Sequence, residues 1–225
     1  MLTRRLVAGA IASLGWTALG LQLYLNLGRN IAYDLSSVGD VVTYLSFFTV
    51  LTNLLIAGCL TLAACEPDEE SFWNWRGVQT ALGVYILIVA IVYAAVLEGL
   101  WMPQGLEYIT DRFFHALLPM LYIAYWLFFT PKGSLRFADQ ILWQTYPFVY
   151  FIYTLTRGAI IGAYPYPFLD VTRDGYEGVF LNSLMLLALF LTLGSTLILI
   201  DWLLSSDAPA GRTAGLTRSN THTKS

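Results

Sequence analysis

Six stretches of this chain repeat one pattern, roughly twenty mostly apolar residues followed by a short polar connection. They run over 6–27, 41–65, 77–97, 113–130, 140–162 and 179–200. A helix rises about 1.5 Å per residue and needs roughly 20 residues to cross about 30 Å of hydrocarbon, where no water can satisfy an open backbone. The pattern predicts an all-α integral membrane protein of six transmembrane helices, filling a single domain over 1–204. The polar tail over 205–225 is expected to be disordered. The first stretch follows "MLTRR", but its apolar run is longer than a signal-peptide core of about 7–15 residues, so a retained span is expected.

Composition sharpens this picture. Of 225 residues 57% are hydrophobic and 12% charged, and the mean hydropathy is +0.62. A soluble domain carries about 25% charged residues, so this chain lacks the charge to cover itself in water. The net charge of −3 gives no reason to expect a nucleic-acid partner. Two cysteines and two histidines make no metal-ligand pattern, and no cofactor is called for. Cys59 and Cys65 lie six residues apart in one apolar run, where a helix points them in different directions, arguing against a disulfide. The positive-inside rule orients the chain. Arg4, Arg5, Arg76, Lys132, Arg136, Arg212, Arg218 and Lys224 fall on one side, against Arg29, Arg112, Arg157 and Arg173 on the other. Both termini, and with them the tail, are therefore expected in the cytoplasm, with the protein multi-pass in the cell membrane.

Topology gives meaning to the polar residues inside the spans. "YLSFFTVLTN", residues 44–53, places Ser46, Thr49 and Asn53 on one face of a helix, since offsets of three and seven residues share a face. Ser46 lies about 8 Å inside the outer end of the second span at 1.5 Å per residue. His115 in the fourth span and Arg157 in the fifth fall at a similar depth. Ionisable residues in a membrane are costly and face the bundle interior or a wet cavity, so a shared depth is what one polar site requires. A hydroxyl and an imidazole suffice for acyl transfer, with Ser46 or Thr49 as nucleophile and His115 as base. Asp111, Glu107, Glu98 and Asp170 all lie near the outer rim as possible orienting acids, and spacing does not choose among them. Asn53 is a candidate amide donor to substrate. Arg157 can hold a carboxylate or phosphate through its planar fork. A site at this depth favours lipids or other long-chain esters as substrates.

Three segments, "TYLSFFTVLTNLL", "RFFHALLPMLYIAYW" and "TRGAIIGAYPYPFLD", occur in that order. Together they resemble the androgen-induced and androgen-dependent integral membrane hydrolases and their bacterial six-helix relatives, over about residues 40–200. The most specific part is the run Arg157, Gly162, Tyr166, Pro167, Phe168, Leu169 and Asp170. The animal members are threonine–histidine hydrolases of fatty-acid esters of hydroxy fatty acids. The resemblance implies lipid-ester hydrolysis, with Tyr166 and Asp170 joining Asn53 and Arg157 around the substrate. The family's threonine stands in a Lys-Phe-Leu-Thr-Phe context. Ungapped matching puts Ser46 there, while Thr49 offers the same residue type one turn on. His115 before Pro119 matches the family's histidine, at a spacing one residue shorter. The alternative is a non-catalytic transporter or lipid-binding protein, although matching broken repeats are missing from the sequence. A single membrane histidine cannot give haem two axial ligands.

Overall fold

The computed structural model describes residues 2–31, 37–65, 75–100 and 102–205. The acidic connection at 66–70 and residues 206–225 of the expected tail lie outside the described residues. Every regular element among the described residues is helical. Helix α1 spans Leu2–Ile31, α2 Ser37–Tyr44, α3 Phe48–Cys65 and α4 Arg76–Val92. After α4 comes a π-helical turn, Tyr93–Leu97. Helix α5 spans Leu106–Arg112, a second π-turn covers Phe113–Leu117, and α6 spans Leu118–Phe129. Helices α7 (Asp139–Trp143) and α8 (Thr145–Ile161) lead to a 3-10 turn, Pro167–Leu169, and to α9, Val171–Ser205, which is kinked at Gly175 with φ of 67°.

Five helical stretches are long and apolar enough to cross a membrane, namely Leu2–Gly28, Phe48–Cys65, Arg76–Leu97, Leu106–Phe129 and Val171–Ser205. Helix α8, in the expected fifth segment, has 17 residues, about 26 Å at 1.5 Å per residue. Large apolar side chains such as Phe128, Ile141, Ile160 and Leu203 stand exposed on the outside of this fold, as they do on a lipid-facing surface.

Small residues set the helix packing. Gly9 and Gly15 face α3, where an added Cβ would meet Ala64 Cβ at 3.6 Å and Ala57 Cβ at 3.4 Å, ordinary contact distances. Lipid tails are as apolar as leucine, so this close van der Waals contact, rather than escape from water, holds membrane helices together. Helix α4 packs against α3, α6 and α9 and buries Val84, Ile86 and Ile88. Polar cross-links fasten it. Trp126 Nε1 donates to Thr80 Oγ1 at 2.9 Å, Tyr122 to the Gln79 carbonyl at 3.0 Å, and Tyr85 to the Trp143 carbonyl at 2.6 Å.

Two departures from the sequence pattern shape the site. The single helix expected over 41–65 is broken at Leu45–Phe47. No glycine or proline is responsible. The turn tightens, with Ser46 N bonded to the Thr43 carbonyl at 3.0 Å, and Ser46 Oγ also donates to the Val42 carbonyl at 2.6 Å. Tyrosines take the backbone groups that the break sets free. Tyr150 donates to the Ser46 carbonyl at 2.9 Å, and Tyr166 oxygen accepts from Thr49 N at 3.2 Å. Such substitutes let a helix break persist where water is scarce. The fourth span, expected from residue 113, begins instead at Leu106, after Gly105 with φ of 57°. Asp111 and Arg112 read as a membrane boundary, yet they are helical and Asp111 is buried. Pro119 has no N–H for the carbonyl four residues earlier, and the helix widens into the π-turn just before it. Pro147 lies in the first turn of α8, where a missing N–H disturbs little.

Candidate active site

Thr49 is the second residue of α3, at the positive end of its dipole. Its Oγ1 lies 3.5 Å from His115 Nε2 and 3.4 Å from the Tyr166 hydroxyl. His115 sits in the π-turn Phe113–Leu117; π-turns recur at functional sites because they re-aim single side chains. The other face of the imidazole is fixed. Nδ1 lies 2.9 Å from the Asp111 backbone oxygen and 3.3 Å from Asp111 Oδ1, one helical turn earlier. A proton on Nδ1 satisfies both oxygens and leaves Nε2 as an acceptor facing Thr49. Tyr93, from the π-turn after α4, donates to Asp111 Oδ2 and stacks on His115 at 3.8 Å between centroids, 11° from parallel. The order is thus Tyr93, Asp111, His115, Thr49, carried by the ends of α4, α5 and α3.

Two cavities meet at this row. One, of about 640 Å³, has a largely apolar lining but is the more polar of the two, with Gln22, Asn26, Asp40, Thr43, Asp111 and His115 among its lining residues. The second, about 690 Å³, runs between α4, α8 and α9 and is lined by Ile88, Val92, Phe148, Phe151, Leu187 and Phe190 among others. Thr49, Leu97 and Tyr166 line both. The arrangement can hold a molecule with one polar and one long apolar arm, its junction against a hydroxyl backed by an imidazole. Of the two candidate hydroxyls, Thr49 is the one brought to His115. Ser46 lies in the turn before α3, its Oγ 2.7 Å from the Tyr153 hydroxyl.

The remaining sequence candidates separate. Tyr166 is buried at the junction, its ring stacked on Phe168 at 5.2 Å. Arg157 Nη2 donates to Thr43 Oγ1 at 3.1 Å, which ties it to the back of the polar cavity's wall. Asn53 Nδ2 donates one hydrogen bond to the Thr49 carbonyl at 2.6 Å, and Asn53 lines neither cavity. Asp170 caps the single turn of α9 that precedes its kink at Gly175, its Oδ1 accepting from Thr172 N at 2.9 Å and from the Thr172 hydroxyl. Those bonds, the hydroxyl's first, hold the Asp170 carboxyl below the usual carboxylate range. Asp111 was one of four possible acids by sequence, and the structure places it alone against His115. Tyr93 was hidden in the sequence, since an aromatic in an apolar stretch reads as packing. Comparison with family models, with curated proteins and with solved structures finds no match for this chain.

Proposed function

We propose that this chain is a membrane-embedded hydrolase of lipid esters, with Thr49 as nucleophile and His115 as base. The observation that carries the reading is the Thr49–His115–Asp111 row at the junction of a polar and an apolar cavity. The resemblance of the three sequence segments to threonine–histidine membrane hydrolases points the same way. Six crossing helices, α8 completing the set, with both termini in the cytoplasm of the cell membrane, complete the proposal; the charge bias of the connections supports it.

The acyl chain lies in the apolar cavity and the alcohol part in the polar one, so the ester carbonyl meets Thr49. Thr49 Oγ1 attacks the carbonyl carbon as its proton passes to His115 Nε2, and the carbonyl oxygen takes up the negative charge. Tyr166 accepts the Thr49 N–H, so its own hydroxyl hydrogen is free to turn toward that oxygen. The carbon–oxygen bond to the alcohol then breaks, and His115 returns the proton to the departing oxygen. Water attacks the acyl-threonine by the same path, releasing a carboxylic acid and restoring Thr49. Asp111 and Tyr93 hold the imidazole in line throughout.

The test is turnover of long-chain esters by the purified protein in bilayer nanodiscs. His115→Ala should lower the rate about 10²–10⁴-fold, the usual effect of losing a general base. Equal turnover before and after the substitution would remove His115 as the base, and no turnover by the wild type would leave a lipid-binding or transport protein as the better reading.

A further inference from the structure

The polar cavity carries a feature that the hydrolytic row does not use. Asp40, in the first turn of α2, lines it, and Oδ2 of this carboxylate is buried without a hydrogen-bond partner among the described residues. A buried charged oxygen left unpaired is expensive, and a donor supplied by a ligand relieves the cost. The neighbouring groups leave this place open. Gln22 Oε1 accepts from the Thr110 hydroxyl, and Gln22 Nε2 donates to Asn26 Oδ1 at 3.1 Å. The other carboxylate in the lining, Asp111, is held by Tyr93 and His115.

Charge narrows what fits. Among the described residues, two carboxylates and no lysine or arginine line this cavity. A ligand carboxylate would meet like charge there, with Arg157 set behind Thr43. A quaternary ammonium suits the charge but has no hydrogen to offer Asp40. An uncharged alcohol bearing further hydroxyls meets neither obstacle. It donates to Asp40 Oδ2, while the Thr43 hydroxyl, which lines the same wall, offers it a further hydrogen-bonding group.

We infer that the polar cavity is the leaving-group subsite and selects an uncharged polyol, of the glycerol type, through Asp40. This rests on the hydrolase reading and adds the identity of the alcohol. It departs from what the sequence resemblance implies, since a hydroxy fatty acid leaves with a carboxylate.

The experiment uses the full chain in nanodiscs and four oleate esters, those of glycerol, ethanol, choline and a hydroxy fatty acid. The glycerol ester should exceed the ethyl ester in kcat/KM by roughly 10-fold or more, the lower end of what a hydrogen bond to a charged group confers. In Asp40→Asn that ratio should fall toward one. Because the ratio is taken within each protein, a poorly folded variant does not imitate the effect. A ratio near one in the wild type overturns the subsite, as does a ratio unchanged by Asp40→Asn or a preference for the choline or hydroxy-fatty-acid ester. Each of those outcomes leaves the hydrolase standing. No turnover of any ester by the wild type overturns both.

Discussion

Replacing Asp111 with asparagine separates two ways of orienting the base. The closer partner of His115 Nδ1 is the Asp111 main-chain oxygen at 2.9 Å, with the carboxylate oxygen at 3.3 Å. The main-chain oxygen survives the substitution, so the tautomer that leaves Nε2 free stays favoured. The asparagine oxygen can face Nδ1–H, and its amide can donate to the Tyr93 oxygen, which accepts as well as donates. What disappears is the charge facing the imidazolium that forms as Thr49 attacks. Hydrogen bonds to charged groups contribute about 1.5–3 kcal/mol and neutral ones about 0.5–1.5. The difference, roughly 1–2 kcal/mol, corresponds to a fall of about 5–30-fold in kcat/KM at 1.36 kcal/mol per decade. Where the acid alone sets the tautomer, the same exchange costs about 10⁴-fold. Steady-state turnover of one long-chain ester by wild type, Asp111→Asn and His115→Ala decides the matter. A loss in Asp111→Asn as deep as in His115→Ala would refute the main-chain account. A rate within about two-fold of wild type would refute any electrostatic role for the carboxylate.

Ser46→Ala should keep turnover within a few-fold of wild type while lowering stability by about 1 kcal/mol, the net value of one hydrogen bond; thermal unfolding and ester turnover on the same sample check both halves. Thr49→Ala should abolish turnover with little loss of stability, and the reverse pattern in the pair would move the nucleophile to Ser46. Asp170→Ala removes the cap of the first turn of α9 and should cost up to about 1 kcal/mol at neutral pH. The folded carboxyl is held below its ordinary value near 3.9, so its stabilisation is complete above that pH and disappears as pH falls through the lower folded value. Melting curves of wild type and Asp170→Ala should therefore converge in acid, and a gap that persists unchanged there would contradict the capping role.

The helical fold was legible because hydrocarbon permits so few alternatives; length and apolarity nearly suffice to locate the helices. The approach of Thr49 to His115 was legible in part, since both stand a few residues inside the apolar stretches that the sequence marks out. The break at Leu45–Phe47 was hidden. Its cause is not local, since the tyrosines that satisfy the freed backbone come from residues 150 and 166, about a hundred positions away. That break is what separates Ser46 from Thr49, which an unbroken helix would have kept on one face. Asp111 was hidden by its charge, which reads as the edge of the membrane although the residue is 6% exposed. The spacing from Asp111 to His115 is one helical turn, and extending the helix back across Arg112 would have singled it out. Arg112 itself is paired with Glu98 at 2.6 Å near the surface, where such a pair contributes about 0–1 kcal/mol.

The central claim is that Thr49 is the nucleophile, and covalent capture tests it most directly. A long-chain alkyl fluorophosphonate reacts with an activated hydroxyl and stays bound. Incubation with the protein in nanodiscs, followed by peptide mass spectrometry, locates the adduct. The account predicts modification of Thr49, lost in His115→Ala and retained in Ser46→Ala. An adduct on Ser46, or labelling of Thr49 that persists undiminished without His115, would contradict it.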